Sequence, residues 1–233
     1  MILGGEMDSE IKKAQELISD SDGILITASN GLSITEGYNI FADDLNFRNY
    51  FNEFKSLYGI SNVVQGVYAE MPQTDHDIFM KKVHKYLIDD YHPTPIFKDI
   101  KKLVTDKDYF VVTSNADTHF QLNGFDPKRI WEVEGNLDGT NMRDETWNQQ
   151  QQSFQNFVSN NKNEKLVQIE FGIGSHNKMI KEPMMRLVSS HPKWSYITLN
   201  LQNEIKVAPE ISDRSVALAG DINQTMNNLL KED

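Results

Sequence analysis

The stretch from Asp22 to Tyr38, DGILITASNGLSITEGY, constrains the fold more than any other part of the chain. Ile24, Leu25, Ile26 and Thr27 form a short apolar run without alternation, entered through the turn pair Asp22-Gly23. A run of that kind suits a parallel strand buried on both faces. It breaks into small residues, Ala28-Ser29-Asn30-Gly31, with Ser33 placed as a helix cap. Strand, small-residue turn and helix start form a common phosphate-binding arrangement, because small side chains let backbone N–H groups approach an anion. The turn carries a single glycine where dinucleotide fingerprints carry three, and many such turns in α/β proteins bind nothing.

With 233 residues, 24% charged and 39% hydrophobic, the chain can build one large domain, or one domain with an insertion. Its net charge of −11 leaves no basic surplus to pair with phosphates. That argues against nucleic acid or an anionic membrane as a partner. The absence of cysteine excludes disulfides, a cysteine nucleophile and a thiolate zinc site, so no metal is expected. The start, MILGGEMDSE, lacks a basic region leading into a long apolar stretch, and no run approaches the ~20 residues of a membrane span. A cytoplasmic protein is expected.

Along the chain, Ser9 or Asp8 can cap a first helix that carries Ile11, Ala14, Leu17 and Ile18 at helical spacing. Apolar runs at 109–113, 130–134, 166–171, 196–201 and 216–219 then alternate with helical patterns. The expected fold is α/β, a Rossmann-like, mostly parallel six-stranded sheet with helices on both faces, built from 1–38 and 93–233. Residues 39–92 break the rhythm as a small helical insertion. Its rings (Phe41, Phe47, Tyr50, Phe51, Phe54, Tyr58) form the insertion's core or the edge of a cleft against the sheet. The polar segment 137–164 carries Trp147, Phe154, Phe157 and Val158, which suggest a helix.

The strand at 109–113 ends in Ser114-Asn115-Ala116-Asp117-Thr118-His119. Polar groups at the carboxyl end of a parallel strand sit where α/β folds hold ligands. Asn115, Asp117 and His119 therefore read as a ligand-contacting cluster or as loop and helix caps, a role that Asn and Asp also favour. Glu134 and Asn200 fall at strand ends in the same way.

Several motifs in one order resemble the sirtuin family, and more narrowly its macrodomain-linked bacterial members, over about residues 10 to 231. SNGLSITEG at 29–37 stands where sirtuins carry a G-A-G-x-S loop, and NFRNYF at 46–51 resembles their phenylalanine-arginine segment. TSNADTHFQLNGFD at 113–126 looks like the T-x-N-x-D stretch of the nicotinamide pocket, with Asn115 and Asp117 matching. IEFGIGSHNKMIKEP and LNLQNEIKVAPEISDRSVALAGDI resemble the later nucleotide-binding loop and the last strand pair.

The resemblance implies NAD as cofactor, held by Ala28, Ser29, Asn30, Gly31, Ser33, Phe47, Arg48, Ser114, Asn115, Gly174, Ser175, Asn200, Asp221 and Ile222. Asn115, Asp117 and Glu134 become the catalytic residues that it implies. The catalytic histidine of deacylating sirtuins falls at Glu134, and a carboxylate is a poorer base than a histidine that titrates near neutrality. A carboxylate can still stabilise developing positive charge and orient a ribose hydroxyl. Glu134 therefore suits ADP-ribosyl transfer from NAD to a protein, with deacylation or NAD-binding regulation as the alternatives. The resemblance also implies a protein acceptor, such as a lipoylated carrier, and a macrodomain partner that removes ADP-ribose.

Overall fold

The computed structural model describes residues 2–231. Six strands form one sheet in the order β3-β2-β1-β4-β5-β6. They are β1 (Gly23–Ala28), β2 (Asp108–Thr113), β3 (Ile130–Glu132), β4 (Leu166–Phe171), β5 (Trp194–Asn200) and β6 (Ser215–Ala219). Every neighbouring pair is parallel, as expected for strands joined by helical crossovers. β1 lies at the centre with all its residues buried. The strand order reverses between β1 and β4, and open α/β sheets form their ligand crevice at such a reversal.

The alternating faces of β1 explain its unbroken apolar run. Ile24 and Ile26 enter one core, with Ile11 and Ala14 of α1 (Ile2–Ser19), Ile96 and Ile100 of α6 (Pro95–Leu103), and Met226 of α10 (Ile222–Leu229). Leu25 points into the opposite core, with Phe154 and Phe157 of α8 (Glu145–Asn161) and Met184 and Val188 of α9 (Lys181–Ser190). The aromatics of 145–161 thus lie on a helix, capped where the Asp144 side chain accepts from the Trp147 N–H.

A third core belongs to the segment between β1 and α6. It is built from α3 (Leu45–Tyr58), α4 (Val63–Val67), α5 (Gln73–His84) and a π-helical turn, Lys85–Asp89. Phe47, Phe51, Phe54 and Phe79 fill it, with Phe51 and Phe79 ring centroids 4.9 Å apart. Phe41 does not join them. It is 51% exposed.

Helix starts differ from the capping expectations in two places. α1 begins at Ile2, so Asp8 and Ser9 lie inside it. Extending a nucleated helix adds a hydrogen bond per residue, and a capping preference alone does not stop it. α2 (Asn30–Thr35) starts before Ser33, which is therefore buried mid-helix, and Ser29 stands at the cap position without a side-chain capping bond. β3 ends at Glu132, so Glu134 lies beyond the strand. Among the described residues, no helix is long and apolar enough to cross a membrane.

Candidate active site

The carboxyl ends of β1, β4, β5 and β6 open into a cleft of about 510 Å³. Ser29, Asn30, Gly31, Gly174, Asn200, Asp221 and Ile222 all line it, so residues far apart in sequence meet at one surface. Two backbone loops touch beside it, where the Gly31 N–H donates to the Gly172 carbonyl at 3.0 Å. A Cβ on Gly31 would lie 2.5 Å from Gly172 Cα, and Gly172 has φ +59°, so the approach requires glycine on both sides.

Phe41, Asn177, Leu201 and Glu204 also line it, and of these Asn177, Leu201 and Glu204 carry no signal in the sequence. Of the rings expected in the insertion's core or at a cleft edge, Phe41 takes the cleft edge. Glu204 reaches across from the segment after β5 and accepts from the Ser175 N–H at 2.7 Å. That backbone bond is the main reason its pKa lies below the ordinary value. Among the described residues, no lysine or arginine lines the cleft.

Behind the β1 loop lies a buried polar corner. The Asn115 amide nitrogen donates to the Ser29 carbonyl (3.2 Å) and to Ser33 Oγ (2.9 Å). Ser33 Oγ in turn donates to Asp117 Oδ2 at 2.7 Å, which gives a directed relay. Asp117 Oδ1 accepts from the His119 N–H at 3.0 Å. Asn115 Oδ1 has no partner among the described residues, although the side chain is buried. A buried carbonyl oxygen left unpaired is costly unless a ligand or water supplies a donor.

His119 extends the corner toward the helical segment. Its Nδ1 lies 2.7 Å from Glu36 Oε2 and its Nε2 lies 2.8 Å from the Leu87 carbonyl. Burial disfavours the charged ring, but the Glu36 hydrogen bond and the Asp117 and Glu36 charges outweigh it and raise the His119 pKa.

The remaining candidates occupy other positions. Ala28 is buried at the end of β1, and Ser114 Oγ donates to Ser29 Oγ at 2.9 Å, directly behind the lining. Phe47 is enclosed in the third core, 1% exposed. Arg48 faces outward and pairs with Asp43 at 2.9 Å, helping to hold that carboxyl down at about 2. Neither lines the cleft. Glu134 is exposed, yet the surrounding protein desolvates its carboxyl enough to raise its pKa above the ordinary value.

The chain aligns over 94% of its length with 92% of a crystal structure of a Sir2 homologue–NAD complex, with a TM-score of 0.58 and 12% identity. The fold is that of the sirtuins. No protein-family model matches the chain. A protein ADP-ribosyltransferase of Staphylococcus aureus is 19% identical over 97% of this chain and 90% of its own length. A probable bifunctional ADP-ribose hydrolase/ADP-ribosyltransferase of Fusarium oxysporum is 29% identical over 52% of this chain, a match that covers 21% of that protein. On this sirtuin fold, the cleft and the corner meet at the β1–α2 loop, with Ser29 common to both.

Proposed function

We propose that the protein is an NAD-dependent, sirtuin-like ADP-ribosyltransferase that transfers ADP-ribose to a protein acceptor and releases nicotinamide. NAD supplies a labile bond between ribose and nicotinamide. On this reading residues 1–38 and 93–233 form the NAD-binding unit, with 39–92 inserted. The Gly31–Gly172 contact leaves room for a pyrophosphate beside backbone N–H groups, and Asn200, Glu204 and Asp221 offer acceptors for ribose hydroxyls. Phe41 and Leu201 supply the apolar surface a base needs.

The observation that carries the reading is the unpartnered Asn115 Oδ1. It can accept from the carboxamide N–H of nicotinamide while Ser29 and Ser33 hold the other end of the side chain. Asp117 then provides a fixed negative charge where positive charge develops on the ribose. Glu134, an exposed carboxylate, is assigned to orient a ribose hydroxyl. The names of the two relatives support transfer over deacylation, and the hydrolase in the fungal one's name accords with a partner that removes ADP-ribose, for which a macrodomain is proposed. A lipoylated carrier protein is the acceptor proposed.

Calorimetric titration with NAD, followed by an assay of nicotinamide release, tests this. Saturable binding at micromolar to sub-millimolar NAD is expected. Asn115→Ala should lower release about 100-fold or more, the scale of a lost polar contact to the reacting group, with NAD affinity little changed. Release that survives Asn115→Ala would overturn the assignment of the corner. Binding without release in the wild-type protein would leave a regulatory NAD-binding protein in place of a transferase.

A further inference from the structure

His119 is held in a way that the proposed chemistry does not itself require. Both ring nitrogens face acceptor oxygens, the Glu36 carboxylate and the Leu87 carbonyl. A neutral imidazole has one N–H and satisfies one such acceptor, whereas an imidazolium satisfies both. The other oxygen of Glu36 accepts from Thr94 Oγ1 at 2.6 Å and from the Tyr91 hydroxyl at 2.7 Å. Asn123 donates to that hydroxyl in turn (2.6 Å), which leaves its proton for Glu36. Glu36 thus meets Thr94, Tyr91 and the imidazole together, and its side chain is 0% exposed.

The elements packed on the ring contribute no competing cation. Tyr91 stacks on it at 3.8 Å, Tyr38 meets it edge-on at 5.0 Å, and Phe97 of α6 lies at 6.4 Å. Tyr38 and Tyr91 have raised pKa values, chiefly through burial, and remain neutral over the working range. Glu36 and Asp117 are the charged groups that face the imidazole, with Asp117 Oδ2 3.6 Å from Nδ1. The Leu87 carbonyl comes from the π-helical turn, so this ring ties the inserted helices to the loop that carries Asn115 and Asp117.

We propose that His119 is a positioning residue whose charged ring, clamped between Glu36 and Leu87, fixes Asp117 and through Ser33 the rotamer of Asn115. The proposal rests on the reading of Asn115 and Asp117 as the nicotinamide-facing pair. When the ring loses its proton it can no longer donate to both acceptors. One of its two ties is then lost, and Asp117 loses a neighbouring positive charge. Turnover should fall as pH rises through the His119 pKa, while NAD binding in the separate cleft changes little.

The test begins with the ligand-free full chain, so that it stands apart from the question of NAD. The His119 ring carbon and the Asn115 side-chain amide are followed by NMR from pH 6 to 9. Both are expected to titrate with one midpoint above the ordinary histidine value of about 6.5. In Glu36→Gln the midpoint should drop and the Asn115 curve should move with it. An Asn115 amide that stays constant while His119 titrates overturns the proposal, as does an unchanged midpoint in Glu36→Gln. If Glu36→Gln fails to fold, His119→Gln carries the test, because the Asn115 amide should then lose its titration. Nicotinamide release gives the second readout, an expected loss of about 10-fold in kcat for Glu36→Gln at pH 7, with KM for NAD within about 3-fold. A loss confined to KM overturns the proposal. Absence of release from the wild-type protein counts against the proposed function alone, since the NMR result stands without it.

Discussion

Glu134 and Asp117 are both carboxylates proposed to act on NAD, and their surroundings fit them for different tasks. Asp117 is buried and receives bonds from Ser33 Oγ and the His119 N–H, so its charge is fixed in place. Glu134 is exposed, makes no side-chain hydrogen bond among the described residues, and has a pKa raised by desolvation. A carboxylate of that kind can move to a ribose hydroxyl and must be ionised to orient it. Nicotinamide release should therefore fall on acidification through the raised Glu134 pKa. Glu134→Gln should lower release about 10- to 100-fold and flatten that acid limb. A pH–rate profile of wild type and variant checks this. An acid limb that persists in Glu134→Gln would transfer the role to another carboxylate.

At the scale of elements, a buried ion pair braces the β4–α9 loop. Lys181 Nζ lies 2.5 Å from Glu170 Oε1 and 3.2 Å from the Ile173 carbonyl, which also accepts from Asn200 at 2.8 Å. Tyr196 and Thr198 of β5 donate to Glu170 as well. Burial pushes the Glu170 carboxyl up while Lys181 and these donors pull it down, so deleting one partner strands the other. Lys181→Met should cost about 3–5 kcal/mol of unfolding free energy, read from urea titration, and Lys181→Met with Glu170→Gln should recover part of it. A single variant as stable as wild type would mean that the pair contributes nothing to holding the loop. Neither residue stood out in the sequence, where Glu170 is one polar residue within an apolar strand and Lys181 one lysine among several. What was legible there is what local pattern determines: five of the strands within two residues at each end, and the sixth, 130–134, to within its last two. Asn115, Asp117, Asn200 and Asp221 were legible because strand ends in this topology converge. The Glu36–His119 pair was not, since its members are 83 residues apart and meet only through tertiary packing. Ser33 was read as a cap from its type alone, while its burial and its bond to Asp117 depend on a loop 84 residues away.

For the whole molecule, charge sets a condition on how the proposed cofactor arrives. The chain carries −11 overall, and among the described residues its cleft is lined by Glu204 and Asp221 with no lysine or arginine. NAD itself is a net anion through its pyrophosphate. Its phosphates would be met by backbone dipoles at close range, a short-range attraction that salt screens weakly. The long-range field of the protein is repulsive and is screened over about 30 Å at 0.01 M salt and about 8 Å at 0.15 M. The two effects separate by distance, so added salt removes the repulsion and leaves the contacts. NAD affinity should rise about 2-fold between 10 and 150 mM sodium chloride, against the usual weakening at phosphate sites built on lysine and arginine. Calorimetric titrations at the two salt concentrations decide the sign. Weaker binding at the higher salt would require a cation at the pyrophosphate, such as a side chain that swings in from outside the cleft when the cofactor binds.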